Sequence, residues 1–182
     1  MKHTRRRGKE PGWGFRLMAL SYRFRDARTP REPILAEADI REGDSVLDFG
    51  CGPGSYIPAA ARLVGRNGHV YALDIHPLAV RMSQDRARKS GLKNVSTILS
   101  GLSTGLDDNC VDVALLYDIY HGLEEPQAVL GELHRVLKPG GALSVHDHHM
   151  GPEALEEAIT ASSIFDLAAR GARTLRFTPK EA

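Results

Sequence analysis

The sequence predicts an α/β fold, a doubly wound, mostly parallel sheet of seven strands that closes with an antiparallel C-terminal hairpin. Short apolar runs alternate with segments of helical period, which is typical of parallel βαβ units. A glycine-rich loop follows the first apolar run, and a carboxylate ends the second one. A strand, a glycine loop, a helix and an acid-tipped strand form the nucleoside crevice of Rossmann-like sheets.

The individual elements follow from periodicity and from the positions of Gly and Pro. Apolar runs predict strands at 45–49, 69–74, 95–99, 111–117 and 142–148. Helical period predicts helices near 55–65, 77–90, 126–137 and 152–162, and Pro30 and Pro33 open one that ends near Ala38. Lys138-Pro139-Gly140-Gly141 predicts a turn before the fifth strand. Two short runs at 165–167 and 174–177, with a turn at Gly171, predict the closing hairpin.

Length and composition bound the class of protein. The 182 residues predict one main domain at 29–182, after a basic, partly disordered segment with a short helix at 1–28. A net charge of +1 argues against nucleic acid as an obligate partner. Two cysteines give no disulfide framework and favour a reducing, cytoplasmic location. No apolar run is long enough to span a bilayer, so a membrane partner is not expected.

The glycine loop distinguishes between cofactors. Its residues read Asp48-Phe49-Gly50-Cys51-Gly52-Pro53-Gly54, a D-x-G-x-G-x-G pattern. Dinucleotide folds use G-x-G-x-x-G instead, and here its third glycine would fall on Ser55. An acid at the mouth of the loop would repel a pyrophosphate and suits a ligand with a cationic amino group. The spacing therefore disfavours a nicotinamide dinucleotide.

Asp74 is the strongest single candidate for ligand binding. It ends an uninterrupted apolar strand, and an ionised carboxylate can accept hydrogen bonds from both hydroxyls of a ribose. The alternative is a surface acid that precedes the helix at Pro77. Ile75 follows directly and could pack on a purine.

With these motifs in order, the chain resembles the class I S-adenosylmethionine-dependent methyltransferases of the small-molecule, methyltransferase-11-like type, over about residues 43–178. The resemblance implies S-adenosyl-L-methionine as the cofactor. It implies that the residues contacting that cofactor are Asp48, Gly50, Cys51, Gly52, Gly54, Asp74, Ile75, Gly101, Leu102, Tyr117 and Asp118.

The chain departs from that family in its third motif. Relatives often carry an acid after the third strand, where it contacts the adenine amino group, but this chain reads Ser100-Gly101-Leu102. The backbone amides of Gly101 and Leu102 could still contact the purine edge. Recognition of adenine is therefore weaker than recognition of the ribose.

Histidines at the ends of the fourth and fifth strands leave three interpretations open. His121 or His146 could act as a general base or contact the substrate, because imidazole titrates near neutral pH. The polar cluster could instead be a solvated strand end. A metal site of His146, His148, His149 and Asp147 ranks third, and no metal ligand is assigned.

The acceptor is expected to be a small molecule. Tyr117-Asp118-Ile119-Tyr120 differs from the Asn/Asp-Pro-Pro-Tyr/Phe signature of base N-methylation, and the chain carries no large insertion. Two alternatives remain: a tRNA or rRNA methyltransferase that uses the basic N-terminal arm, and a non-catalytic S-adenosylmethionine-binding protein. Neither the acceptor atom nor the oligomeric state follows from the sequence.

Overall fold

One seven-stranded sheet runs through residues 31–181, the part of the chain that the computed structural model describes. The predicted segment at 1–28 lies outside these residues. In chain order the elements are α1 (Glu32–Ala36), β1 (Ser45–Phe49), α2 (Ile57–Leu63), β2 (His69–Asp74), α3 (Pro77–Lys89), β3 (Val95–Leu99), β4 (Val111–Tyr117), a 3₁₀ turn (Tyr120–Gly122), α4 (Pro126–Val136), β5 (Leu137–His146), α5 (Pro152–Thr160), β6 (Phe165–Arg170) and β7 (Leu175–Pro179).

The strand order confirms the predicted fold class. The strands lie in the order β3-β2-β1-β4-β5-β7-β6. The first five pair in parallel, and β7 runs antiparallel to both β5 and β6. The order reverses beside β1 and β4, and open α/β sheets bind ligands at such a switch point. The carboxyl ends of β1 and β4 therefore mark the place to look for a site.

Side chains on the two faces of the sheet form two main apolar clusters. Neighbouring residues of β1 alternate between them: Val46 packs with α1 and α2, and Leu47 packs with α4 and α5. This division follows from the two-residue period of a strand. Both faces of the central strands are covered, which is why β4 reads as a nearly continuous apolar run.

The fifth strand differs from its prediction at both ends. The predicted turn at 138–141 lies within the range of β5, which begins at Leu137, and the register with β4 shifts there between Val111 and Val113. The bulge fits Gly140, whose φ is +76°. The strand ends at His146, so the prediction that it continues through His148 is wrong. The chain turns there because Asp147 accepts a hydrogen bond from the backbone N–H of His149, at 2.9 Å.

The described helices are short. Between residues 31 and 181, none combines the length and the apolar character that crossing a bilayer requires.

Candidate functional site

A cavity of about 600 Å³ lies at the carboxyl ends of β1 to β4, and we name it the first cavity. Its walls come from the loops after each of these strands and from the segment before α4. Seven residues singled out from the sequence line it: Gly50, Asp74, Ile75, Gly101, Leu102, Asp118 and His121. The structure thus gathers residues spread over about seventy positions of the chain at one edge of the sheet.

The glycine loop bends sharply at the end of β1. The backbone N–H groups of Gly50 and Cys51 both donate to the carbonyl oxygen of Leu73, at 2.8 and 2.9 Å. Gly50 has φ +83°, and a Cβ added there would lie 2.6 Å from Cδ1 of Ile119. Only glycine meets both conditions without strain. The loop therefore keeps its backbone close to the wall of the first cavity.

Asp74 ties the loop to β2. Its Oδ2 accepts a hydrogen bond from the N–H of Gly52 at 2.9 Å, and its Oδ1 accepts one from the N–H of His76 at 2.8 Å. Burial raises the pKa of Asp74, and these two N–H groups partly oppose the shift. Each carboxylate oxygen can accept a second hydrogen bond. Asp74 is therefore held in place while it keeps capacity for a ligand in the first cavity.

Asp48 is a buried carboxyl behind the loop. It is 2% exposed, and its Oδ2 has no hydrogen-bond partner within the described residues. Burial, with the nearby charge of Asp74 as a second cause, raises its pKa to about 7. A buried carboxyl without a partner is costly, and such groups are typical of functional sites. A cationic group placed near it would favour its ionised form.

The wall after β2 and β3 is apolar and open. Ile75 is 58% exposed and Leu102 is 38% exposed. A Cβ on Gly101 would lie 2.8 Å from Cδ1 of Ile75, so glycine lets the two loops approach. Large apolar side chains exposed inside a cavity favour a flat apolar ligand surface. The side chain of Ser100 accepts from the N–H of Leu102 at 3.3 Å.

Five of the predicted cofactor residues do not line the first cavity, and one of them is the buried Asp48. Gly52 and Gly54 shape the loop, and Cys51 is buried with its Sγ 3.4 Å from the hydroxyl of Ser83. Tyr117 is also buried, and its hydroxyl is hydrogen-bonded to Ser144 at 2.8 Å. Burial raises the pKa of both the Cys51 thiol and the Tyr117 phenol. These side chains support the site from within the protein.

His121 and Asp147 form a hydrogen-bonded pair. The Nδ1 of His121 lies 2.8 and 2.9 Å from the two oxygens of Asp147, and the backbone N–H of His121 donates to Oδ2 at 3.0 Å. The Asp147 side chain has no exposed surface. Burial opposes its ionisation, but the N–H groups of His121 and His149 outweigh burial and lower its pKa. An ionised Asp147 holds the proton of His121 on Nδ1 and leaves Nε2 as an acceptor.

Asp118 lies between two further histidines. Its Oδ1 accepts from Nδ1 of His148 at 2.8 Å and lies 3.6 Å from Nε2 of His146. The Nδ1 of His146 donates instead to the carbonyl oxygen of Arg173, at 2.8 Å. Asp118 has φ +59°, a left-handed conformation that Asp tolerates better than most residues. Backbone outliers of this kind cluster at functional sites.

A second cavity of about 720 Å³ lies on the other side of Asp118. Its apolar wall comes from α1, α5 and β5, and its polar wall from the histidines after β5 and the turn between β6 and β7. Its lining includes Ile34, Tyr56, Asp118, His146, Met150, Leu155 and Arg173. Asp118 lines both cavities, so the two are adjacent at the end of β4.

The turn between β6 and β7 was predicted from Gly171, but its contact with α1 was not. Glu37 at the end of α1 fixes this turn, because its Oε2 accepts from the backbone N–H groups of Arg173 and Thr174 at 3.0 and 2.8 Å. The carbonyl oxygen of Arg173, which belongs to this turn, accepts the hydrogen bond that orients His146. Partners more than 130 positions apart leave no local pattern. The pairing of Asp147 with His121 was missed for the same reason.

The chain is similar in sequence and in fold to known methyltransferases. A family model described as a methyltransferase domain matches residues 40–170. A crystal structure of a SAM-dependent methyltransferase from Aquifex aeolicus is 31% identical, has a TM-score of 0.72, and covers 82% of this chain and 88% of its own. The curated relatives include the ubiquinone/menaquinone biosynthesis C-methyltransferase UbiE of Burkholderia mallei, 30% identical over 68% of this chain and 51% of its own length. An uncharacterized 37.1 kDa protein in a transposon of Streptomyces fradiae is 35% identical over 64% of this chain and 34% of its own length. The chain thus spans between a third and a half of these curated relatives.

Proposed function

The chain belongs to the class I S-adenosylmethionine-dependent methyltransferase family, and on that premise we propose that it transfers a methyl group from S-adenosylmethionine to a small-molecule acceptor. The observation that carries the proposal is the junction of the two cavities at Asp118. A donor in the first cavity and an acceptor in the second would meet there. Alignment of two bound reactants supplies much of the rate enhancement of such a transfer.

Four observations support S-adenosylmethionine as the ligand of the first cavity. Asp74 has hydrogen-bonding capacity for the two ribose hydroxyls, and Ile75 with Leu102 offers an apolar surface to the purine. Gly50 would bring main-chain atoms of the loop close to the methionine part of the cofactor. The unpartnered Oδ2 of Asp48 favours a cationic group nearby, directly or through water. The cofactor supplies a methyl group that is already activated, so the protein needs no nucleophile of its own.

His121 lines the first cavity and is hydrogen-bonded to Asp147, which lines the second, so we assign His121 as the general base for acceptors that lose a proton beside Asp118. Asp147 keeps the proton of His121 on Nδ1, so Nε2 can accept a proton from the acceptor atom. His146 lines the second cavity, which supports the proposal that it contacts the acceptor. Asp147 acts through His121 and is a positioning residue.

A small acceptor is supported by the second cavity. Its volume of about 720 Å³ lies in the range of small-molecule sites, and much of its wall is apolar. The name of the UbiE relative, a quinone-biosynthesis C-methyltransferase, agrees with such an acceptor. The alternative of an RNA substrate depends on the basic segment at 1–12, which lies outside the described residues.

The two cysteines are free, which supports the cytoplasmic location expected from the sequence.

The experiment has a binding step and a turnover step. Calorimetry with S-adenosylmethionine and S-adenosylhomocysteine should show one site per chain. A panel of small phenols, quinols and carboxylic acids should then show transfer of a labelled methyl group. His121→Asn should lower turnover about 100-fold or more in a protein that still binds S-adenosylmethionine. His134→Gln, on the exposed side of α4, is the matched control. Binding of neither cofactor would overturn the proposal.

A further inference from the structure

We propose that the side chains of Asp118, Asp147 and His148, with Nε2 of His146 beside them, form a binding site for a divalent transition-metal ion. Asp118, Asp147 and His148 each offer one ligand atom, and these three atoms lie within 4.8 Å of one another. They are brought together from the ends of β4 and β5, whose register places Tyr117 beside His146. The site is part of the wall between the two cavities.

The geometry is close to that of ligands that share one ion. Ligand atoms at about 2.1 Å from a metal in a tetrahedral site lie about 3.4 Å from each other. The Oδ1 of Asp118 lies 2.8 Å from Nδ1 of His148 and 3.6 Å from Nε2 of His146. These two distances bracket the expected spacing. Small movements of exposed imidazole rings would therefore be enough to form the site, and the His148 side chain is 50% exposed.

The protonation pattern around His146 favours a cation there. The Nδ1 of His146 donates to the carbonyl oxygen of Arg173, so the proton of the neutral ring is on Nδ1. Its Nε2 then presents a lone pair towards the carboxylate of Asp118, across a 3.6 Å gap that is too long for a hydrogen bond. Two electron-pair donors that face one another are stabilised by a positive ion between them. A proton already bridges Asp118 and Nδ1 of His148. A metal ion would take the place of that proton, the neutral ring of His148 would carry its proton on Nε2, and one ion would be shared by Asp118, Asp147 and His148.

The kind of metal follows from the donor set. Two carboxylates and one or two imidazoles suit zinc, cobalt or manganese, whereas magnesium and calcium prefer oxygen ligands. Asp147 is already oriented by hydrogen bonds from His121 and from the N–H of His149, as ligating carboxylates commonly are. Any position left open on the ion would face the cavities. If the proposed methyl transfer is correct, that position would bind an oxygen atom of the acceptor.

The test uses tag-free, full-length protein that has been treated with a chelator and contains no cofactor. Titration with Zn²⁺ should show one equivalent bound per chain, and Co²⁺ should give visible absorption bands of an imidazole- and carboxylate-bound ion. Asp118→Asn and His148→Gln should each weaken binding at least about tenfold. Asn tolerates the left-handed backbone at 118, and His148 is exposed, so both variants should fold.

His134→Gln is the matched control, because the Nε2 of His134 bonds to the carbonyl of Lys180 away from the cluster. It should bind Zn²⁺ as the unmodified chain does. The proposal is overturned if the unmodified chain binds no stoichiometric metal, or if both site variants keep full affinity. Because the titration needs no S-adenosylmethionine, a failure here leaves the proposed function standing, and a failure of cofactor binding leaves the metal site standing.

Discussion

The two halves of the sheet's ligand-binding edge hold their carboxylates in different ways. On the cofactor side, Asp74 is held by the backbone N–H groups of Gly52 and His76, and Oδ2 of Asp48 has no partner within the described residues. On the acceptor side, Asp118 and Asp147 are each bonded to a histidine side chain from another strand end. The cofactor side relies on the main chain of one local glycine loop, to which Asp74 is bonded from the end of β2, and the acceptor side relies on side chains assembled from the ends of two strands.

This difference predicts different effects of substitutions on the two sides of the site. A loop that binds through its main chain can keep its ligand contacts when nearby side chains are replaced. A constellation of side chains from several elements can be altered one residue at a time. We therefore expect substitutions in the glycine loop to change folding and cofactor binding, and substitutions among the histidines and their carboxylates to change the acceptor side.

The largest effect, on the free energy of unfolding, is expected from Gly50→Ala, which strains the glycine loop. The positive φ costs about 1–2 kcal/mol for a non-glycine residue, and the contact with Ile119 adds an overpacking cost of about 1–3 kcal/mol. We expect the free energy of unfolding to fall by about 2–5 kcal/mol in urea titrations. Gly91→Ala is the control, because Gly91 has φ +67° and nothing within 4 Å of an added Cβ. Equal losses in the two variants would show that close packing of the loop is unimportant.

Asp74→Ala should have the next largest effect, on cofactor affinity. Loss of hydrogen bonds to a charged group costs about 1.5–3 kcal/mol, or roughly a 10- to 150-fold rise in the dissociation constant of S-adenosylmethionine. Calorimetry measures this value. Asp85→Ala, which removes an exposed acid on α3 that pairs with Arg88, should bind normally. A folded Asp74→Ala protein with unchanged affinity would remove the ribose assignment.

Asp48→Asn should separate stability from binding. The pKa of Asp48 is raised to about 7 in the folded protein, above its ordinary value of 3.8. A raised acid pKa means that the protonated carboxyl stabilises the fold at low pH, and that this contribution is lost as the pH rises from about 4 through about 7. Between pH 5 and 8, the free energy of unfolding of the variant should therefore exceed that of the unmodified chain by about 1–2 kcal/mol. Its affinity for the cofactor should fall. Parallel pH profiles of unfolding for the two proteins would contradict this.

The sequence could predict the cofactor side because its signals are local. Alternating periodicity located all seven strands, and the spacing from Asp48 to Gly54, followed by Asp74, indicated the first cavity. Long-range contacts left no such pattern. A strand over 142–148 would place His146 and His148 on one face, but the chain turns after His146 and the two side chains lie on either side of Asp118. The role of Asp147 required the fold of the loop after β4.

Glu37→Gln should give the smallest effect and should affect only the acceptor side. Burial opposes ionisation of Glu37, but hydrogen bonds from Arg173 and Thr174 outweigh it and lower its pKa, so its stabilising contribution is present at neutral pH and is lost as the pH falls below about 4.5. An amide oxygen can replace part of these contacts, so we expect a loss of about 0.5–1 kcal/mol in unfolding free energy at pH 7 and less at pH 3. Affinity for S-adenosylmethionine should be unchanged, while the KM of the acceptor rises because the carbonyl that orients His146 is loosened. Glu42→Gln, at a position away from this turn, is the control. A fall in cofactor affinity in Glu37→Gln would mean that the two sides of the site are coupled, and that the division between a local and an assembled half is wrong.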